Sequence, residues 1–188
     1  MPVIQVHVME GYDEAAKSRL VSALSDAARL VVPAPAEAVT VMVQEIAPAG
    51  YMRGRVHREP APALPDPAGV VRSFLEAMEA RALDKAREFL GKGFQMMFPG
   101  TGVMTELDEL IAWSKPRYRS VKKTYDGFDA MQSAGDEAIV YARGTLSGEW
   151  LNGDAFSGIR FIDRFELIGG KIVKQDVWND MAEVKAQA

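Results

Sequence analysis

The sequence contains no cysteine. Disulfides, thiol nucleophiles and thiolate metal sites are therefore excluded together, and nothing points to an oxidising compartment. Histidine is scarce: His7 and His57 are the only two, too few for a histidine-rich metal cluster. Neither a metal nor another cofactor is expected. Long runs of Lys or Arg are missing and the net charge is -4. A nucleic-acid partner is thus disfavoured, because phosphate binding needs a concentrated basic face. No stretch approaches the roughly 18 apolar residues that a membrane span requires. No basic segment followed by an apolar run opens the chain either, so a secretory signal is not expected and the cytoplasm is the default location.

What is present is ample apolar material: 48% of 188 residues are hydrophobic, enough for one medium domain or two small ones. From Pro2 to Met9, Ile4, Val6 and Val8 alternate with Gln5 and His7, which is the period of a strand. Gly11-Tyr12-Asp13 turns the chain, with Asp13 as the N-cap of a helix. In that helix Leu20, Leu24, Ala27 and Val31 recur at helical spacing, and Pro33 and Pro35 stop it. Val39, Val41 and Val43 then alternate with Thr40, Met42 and Gln44 in a second strand. Strand, helix, strand over about 45 residues predicts a βαβ unit with parallel strands. One such unit cannot cover both faces of its own sheet, so self-association as a dimer, trimer or hexamer is part of the reading.

Four of the ten prolines fall within residues 59–69, a composition that predicts a stiff linker. Three segments follow: residues 1–58, a linker over 59–67, and a second domain over 68–188. Asp66 and Pro67 supply an N-cap and a first-turn proline. Val71, Phe74, Leu75, Met78 and then Leu83, Ala86, Phe89 and Leu90 predict one bent helix or two short ones, stopped by Gly91 and Gly93. A strand over 94–98 leads to Pro99-Gly100. Thr105 with Asp108 predicts a capping-box variant opening a helix through Trp113. Strands are expected at about 120–132, 137–149, 156–168 and 171–179, with Gly169-Gly170 as a hairpin turn. Helices followed by antiparallel strands predict an α+β domain with helices on a curved sheet.

One residue stands out by its place. In strand 156–168 one face carries Ile159, Phe161, Asp163, Phe165 and Leu167. A carboxylate amid apolar neighbours is costly unless paired or neutral. Either Asp163 bonds a neighbour such as Arg143 or Arg164, or it faces a pocket with a raised pKa, the profile of a general base. Asp176, Trp178 and Asp180 share a face of the last strand. Tyr118, Tyr125 and Tyr141 are candidate pocket donors.

The run Pro2-Val3-Ile4-Gln5-Val6-His7-Val8-Met9-Glu10-Gly11, with the helix and second strand through Gln44-Glu45-Ile46-Ala47, resembles the 4-oxalocrotonate tautomerase family. Chemistry supports what that resemblance implies for Pro2. Met before Pro is readily removed, which leaves a free secondary amine. An α-amino group titrates near 7.7–8.0, and burial lowers that value further. A base near operating pH suits proton abstraction beside a carbonyl. The family moves a proton between carbon and oxygen of an enol or unsaturated keto acid. Two family arginines that hold substrate carboxylates are replaced here, by Tyr12 and Thr40. The aromatic wall residue is matched by Tyr51, and Arg53 can bring positive charge from a new direction.

Residues 68–183 are similar to the nuclear-transport-factor-2-like superfamily and its SnoaL-like members. The resemblance rests on Phe161-Ile162-Asp163-Arg164-Phe165-Glu166-Leu167-Ile168-Gly169-Gly170-Lys171-Ile172-Val173, with Trp178 and Asp180 after it. It implies a cone-shaped fold with an apolar pocket. The expectation is a tautomerase or isomerase with Pro2 and Asp163 as catalytic groups. Tyr12, Thr40, Tyr51, Arg53, Tyr141 and Trp178 are the expected substrate-binding residues. The alternative is a non-catalytic ligand-binding protein in which the first module serves oligomerisation.

Overall fold

The computed structural model describes residues 1–187. It divides into two compact units, Met1–Ala63 and a second from Leu64 onward. No described helix is long and apolar enough to cross a membrane.

In the first unit β1 (Val3–Met9) and β2 (Thr40–Ile46) pair in parallel, from Val3 beside Thr40 to Met9 beside Ile46. Between them runs α1 (Glu14–Arg29). Asp13 caps it, its carboxylate accepting from the Ala16 N–H at 2.7 Å. The helix ends before Pro33. The Val31 and Val32 N–H groups both turn back to the Ala28 carbonyl, and a residue ahead of proline is pushed out of the helical region. Val31 is consequently exposed, and Ala28 rather than Ala27 is the half-buried residue of the last turn. Ile4, Val6, Val8, Val41 and Val43 lie half-buried, while Val3, Gln5, His7, Thr40, Met42 and Gln44 on the opposite face are exposed. A short hairpin follows, β3 (Met52–Arg53) and β4 (Val56–His57). Its central residues Gly54 and Arg55 both sit at positive φ, 60° and 63°, as a type I′ turn requires.

The second unit opens with α2 (Pro67–Glu79), capped by Asp66, and α3 (Leu83–Arg87). The apolar run is thus two helices, broken where Arg81 takes a φ of 58°. Gly91 and Gly93 do not stop a helix. They lie within β5 (Leu90–Met97), where a Cβ on Gly91 would meet Val173 at 2.9 Å. The predicted capping box shifts by one residue. Glu106 caps α4 (Leu107–Ser114), and the Glu109 carboxylate accepts from the Glu106 and Thr105 N–H groups at 2.9 and 2.8 Å.

Four long strands follow: β6 (Tyr118–Gln132), β7 (Ala138–Trp150), β8 (Ala155–Ile168) and β9 (Lys171–Asn179). The sheet order is β5-β9-β8-β7-β6. All neighbours are antiparallel except β5, which runs parallel to β9. Register shifts near Tyr125/Gly127 and Leu146/Gly148 bend the sheet. Gly169 and Gly170, both at positive φ, close the β8–β9 hairpin. A final helix, α5 (Met181–Gln187), sends Met181 into a cluster with Leu146, Trp150, Phe156, Ile159 and Phe161. The main core packs Val71, Phe74, Leu75 and Met78 of α2 and Leu107 and Leu110 of α4 against Val140, Ala142, Phe165 and Leu167. The chain is α+β in both units.

Candidate functional site

Pro2 is half-buried, directly ahead of β1, and its carbonyl accepts from the Thr40 N–H at 3.1 Å. Its lack of a backbone donor costs nothing at this position. Pro2 and Thr40 are therefore neighbours at the N-terminal end of the parallel pair. Tyr12, Tyr51 and Arg53 follow the other end of the strands. A seven-residue strand spans about 20 Å, so within one copy these residues are not gathered around Pro2.

The second unit holds a cavity of about 110 Å³ between α2, α4 and the inner face of the sheet. Phe74, Leu75, Met78, Phe98, Leu110 and Val121 give it apolar walls, and Tyr118, Lys123, Tyr125 and Gln175 also line it. Strand parity explains the polar set. Val121, Lys123 and Tyr125 alternate along β6 with exposed Lys122 and Thr124, so a lysine ends on the inner face.

Asp163 is fully buried. Its Oδ2 accepts a short hydrogen bond from Lys123 Nζ and another, at 3.3 Å, from Gln175 Nε2. Its Oδ1 has no hydrogen-bond partner. The carboxylate lies behind Lys123 and Gln175 and is not itself a lining group. The two arginines considered as its partners are engaged elsewhere: Arg143 with Asp129 at 2.8 Å, and Arg164 with Glu166. Both belong to the outer face: Arg164 follows Asp163 directly in its strand, and Arg143 pairs in register with Ile162 on the same side as Arg164. The Lys123 ammonium also stands 4.4 Å from the centre of the Phe161 ring.

Burial pushes the Tyr125 hydroxyl well above the ordinary tyrosine range, and the Asp163 charge adds to this. Burial also raises Tyr118. Both hydroxyls stay protonated at neutral pH and can donate hydrogen bonds.

Tyr141 and Trp178 lie on the opposite face of the sheet from the cavity. Tyr141 pairs in register with Arg164, and Arg164 with Asp176. Trp178 is half-exposed in a separate shallow groove with Asp176 and Asp180. Asp176 is ion-paired to Lys174 at 2.9 Å and Asp180 to Arg160 at 2.6 Å. Lys123 went unnamed in the sequence reading, although the Val121–Tyr125 alternation carried the signal. Among the described residues no group of three or more acidic or His side chains could hold a metal ion.

Residues 2–57 match the family model described as tautomerase enzyme. The rest of the chain has the fold of NTF2-like proteins. A protein of that class from Burkholderia pseudomallei K96243 has 20% identity and a TM-score of 0.54, covering 65% of this chain and 97% of its own. TerC, co-crystallised with polyporic acid, has 12% identity and a TM-score of 0.53, covering 64% and 97%. A SnoaL-like protein from Jannaschia sp. CCS1, assigned as a polyketide cyclase, has 20% identity and a TM-score of 0.50, covering 69% and 95%. At these identities the likeness concerns fold alone. No curated protein matches the chain. The chain thus joins a tautomerase-type βαβ module to an NTF2-like domain, and the tautomerase match points to isomerase-type chemistry.

Proposed function

We propose that the chain is a cytoplasmic tautomerase or isomerase. In this reading the Pro2 amine shuttles a proton on a small enol or unsaturated keto acid. The carrying observation is that the tautomerase match begins at Pro2, the residue that opens β1. Met1 is almost wholly exposed, which suits its removal and the release of the amine. The neutral amine takes a proton from the carbon beside the carbonyl, or from the enol oxygen, and returns it at the other end of the conjugated system. Tyr12 and Thr40 stand where carboxylate-binding arginines would be, so a substrate with at most one carboxylate is favoured. Thr40 lies beside Pro2, whereas Tyr51 and Arg53 are remote from it in the same copy. A site that includes all of them takes Tyr51 and Arg53 from a second copy, consistent with a homo-oligomer. The second unit supplies a small-molecule pocket with Asp163 behind its wall.

An extra residue ahead of Pro2 converts the amine to an amide. Turnover should then fall by about 10²–10⁴, the usual worth of general acid–base catalysis, with the fold intact by circular dichroism. Mass spectrometry of the starting protein should find Met1 absent. Undiminished turnover in the extended protein moves the chemistry away from Pro2. The replaced arginines favour a second reading, in which the first module only assembles the oligomer and the second binds a ligand without turning it over. Under that reading both proteins are equally inactive.

A further inference from the structure

We infer that the cavity of the second unit binds a small monoanion of single-ring size, with its oxyanion on the Lys123 ammonium and its apolar body among Phe74, Phe98 and Leu110. This rests on reading the second unit as a small-molecule pocket domain, and it adds the class of ligand and the residue that selects it.

The argument starts from Lys123. A lysine on the inner face of a sheet is expensive, and a buried pair is often no more stable than apolar residues of the same volume. Its position therefore calls for a use. The partners of Lys123, Asp163 and the Phe161 ring, are not lining groups of the cavity. Lys123 itself does line it, and its side chain remains 19% exposed. An ammonium has three donors. One is held by Asp163, so donor capacity remains on the cavity side.

The hydrogen-bond donors around the cavity favour an oxyanion. Asp163 is wholly buried behind Lys123 and Gln175 and accepts from both, so it offers a ligand no atom to touch, although its charge balances that of Lys123 and reaches Tyr125. The ionised groups lining the space are Lys123, Arg81 and Glu79, the last two exposed at its rim. Glu79 offsets Arg81 and Asp163 offsets Lys123, so what the lining offers an oxyanion is donors, the free Lys123 N–H groups first among them. Tyr118 and Tyr125 add neutral hydroxyl donors, and their raised pKa values keep them protonated. Size sets the other limit. A dry apolar cavity of about 150 Å³ accepts benzene, and the space here is about 110 Å³. The space is smaller than that, so a single ring with its acidic group fits only by extending into the open mouth of the cavity, where Arg81 and Glu79 are exposed.

The test uses the full chain and two probes of equal size, benzoate and its neutral analogue benzamide, titrated by calorimetry. Benzoate should bind at least tenfold more tightly. Lys123→Met keeps the length and removes the charge, and should abolish that preference while leaving benzamide affinity within about twofold. Lys123→Arg keeps the charge and the contact with Asp163, and should retain the preference if Lys123→Met fails to fold. Equal binding of both probes to the unaltered protein overturns the assignment of an anion, and so does a preference that survives Lys123→Met. If neither probe binds, the pocket reading falls with it. Benzoate affinity should be unchanged when a residue is added ahead of Pro2. A loss there would place the anion site in the first unit instead, and would overturn the proposal while sparing the Pro2 reading.

Discussion

No side chain between Met1 and Ala63 is buried, whereas the second unit closes a core around Val71, Phe74, Val140 and Phe165 with almost no exposure. The two units use the same materials. Each has helices, alternating strands and capped helix starts. They differ in layers. The second has four helices and a five-stranded sheet to enclose its apolar faces. The first has one helix on one face of a two-stranded sheet, and leaves Val3 and Met42 on the other face 53% and 44% exposed. A unit of the second kind is stable by its own packing, while one of the first kind draws stability from whatever covers it.

The largest effect should come from opening the complete core. Phe165→Ala removes a ring that meets Phe74 edge-on at 6.0 Å, and should cost the second unit about 3–5 kcal/mol. Two-probe thermal melts should show the loss in the second unit's transition alone. A shared transition would mean that the two units fold as one.

Asp163→Asn removes the counter-charge of Lys123. Breaking a buried pair costs about 3–5 kcal/mol, with the lower end expected because Lys123 keeps partial exposure. The fold should survive, and benzoate binding should be retained or tightened, because Lys123 lines the cavity and Asp163 does not. Denaturant titration separates this from complete unfolding, which would make the pair purely structural.

The open face of the first unit should be closed by another copy. Val3→Glu with Met42→Glu places charge on both exposed strands and should weaken self-association by about 1–3 kcal/mol per copy, from lost apolar burial. Sedimentation at micromolar concentration would show the unaltered chain as an oligomer and the variant shifted toward monomer. A strictly monomeric starting protein would break the comparison at its root.

Helix caps should cost little in either unit. Asp66→Ala removes the acceptor for the Gly69 N–H, worth about 1 kcal/mol. Asp13→Ala does the same for α1. The Asp13 change should register in oligomer stability, and the Asp66 change only in the second unit's melting.

The smallest effect is alkaline. Tyr125 is raised in the folded state, so its contribution is complete below the unfolded tyrosine pKa of about 10. It is lost as pH rises above that value, because the unfolded chain ionises first. Tyr125→Phe should flatten the decline in second-unit stability above pH 10, measured by denaturant midpoint.

Period-two alternation revealed β1, β2 and the last four strands to within a few residues, because each strand carries one half-buried or buried face. The caps at Asp13 and Asp66 were legible since their donors lie three residues away. Helix ends were less so. Val31 continues the apolar spacing, yet lies beyond the last turn, and Gly91 serves a strand although glycine commonly stops helices. The partner of Asp163 was missed for another reason. Lys123 lies 40 residues away in sequence, and only the sheet order that places β7 between β6 and β8 brings the two together. Tyr141 and Trp178 were recognisable as aromatic, but their face depends on a register set by strands far apart in the chain.

Local chemistry in the sequence determined the elements, the strand faces, the helix starts and the proline opening β1, because these depend on neighbours within a few residues. Tertiary structure alone decided which inner-face groups meet. It set Lys123 over Asp163, sent Tyr141 and Trp178 to the outer face and left the first unit without a core of its own. Each of these follows from long-range register and from how many layers are available to exclude water, and neither quantity is written in any single segment.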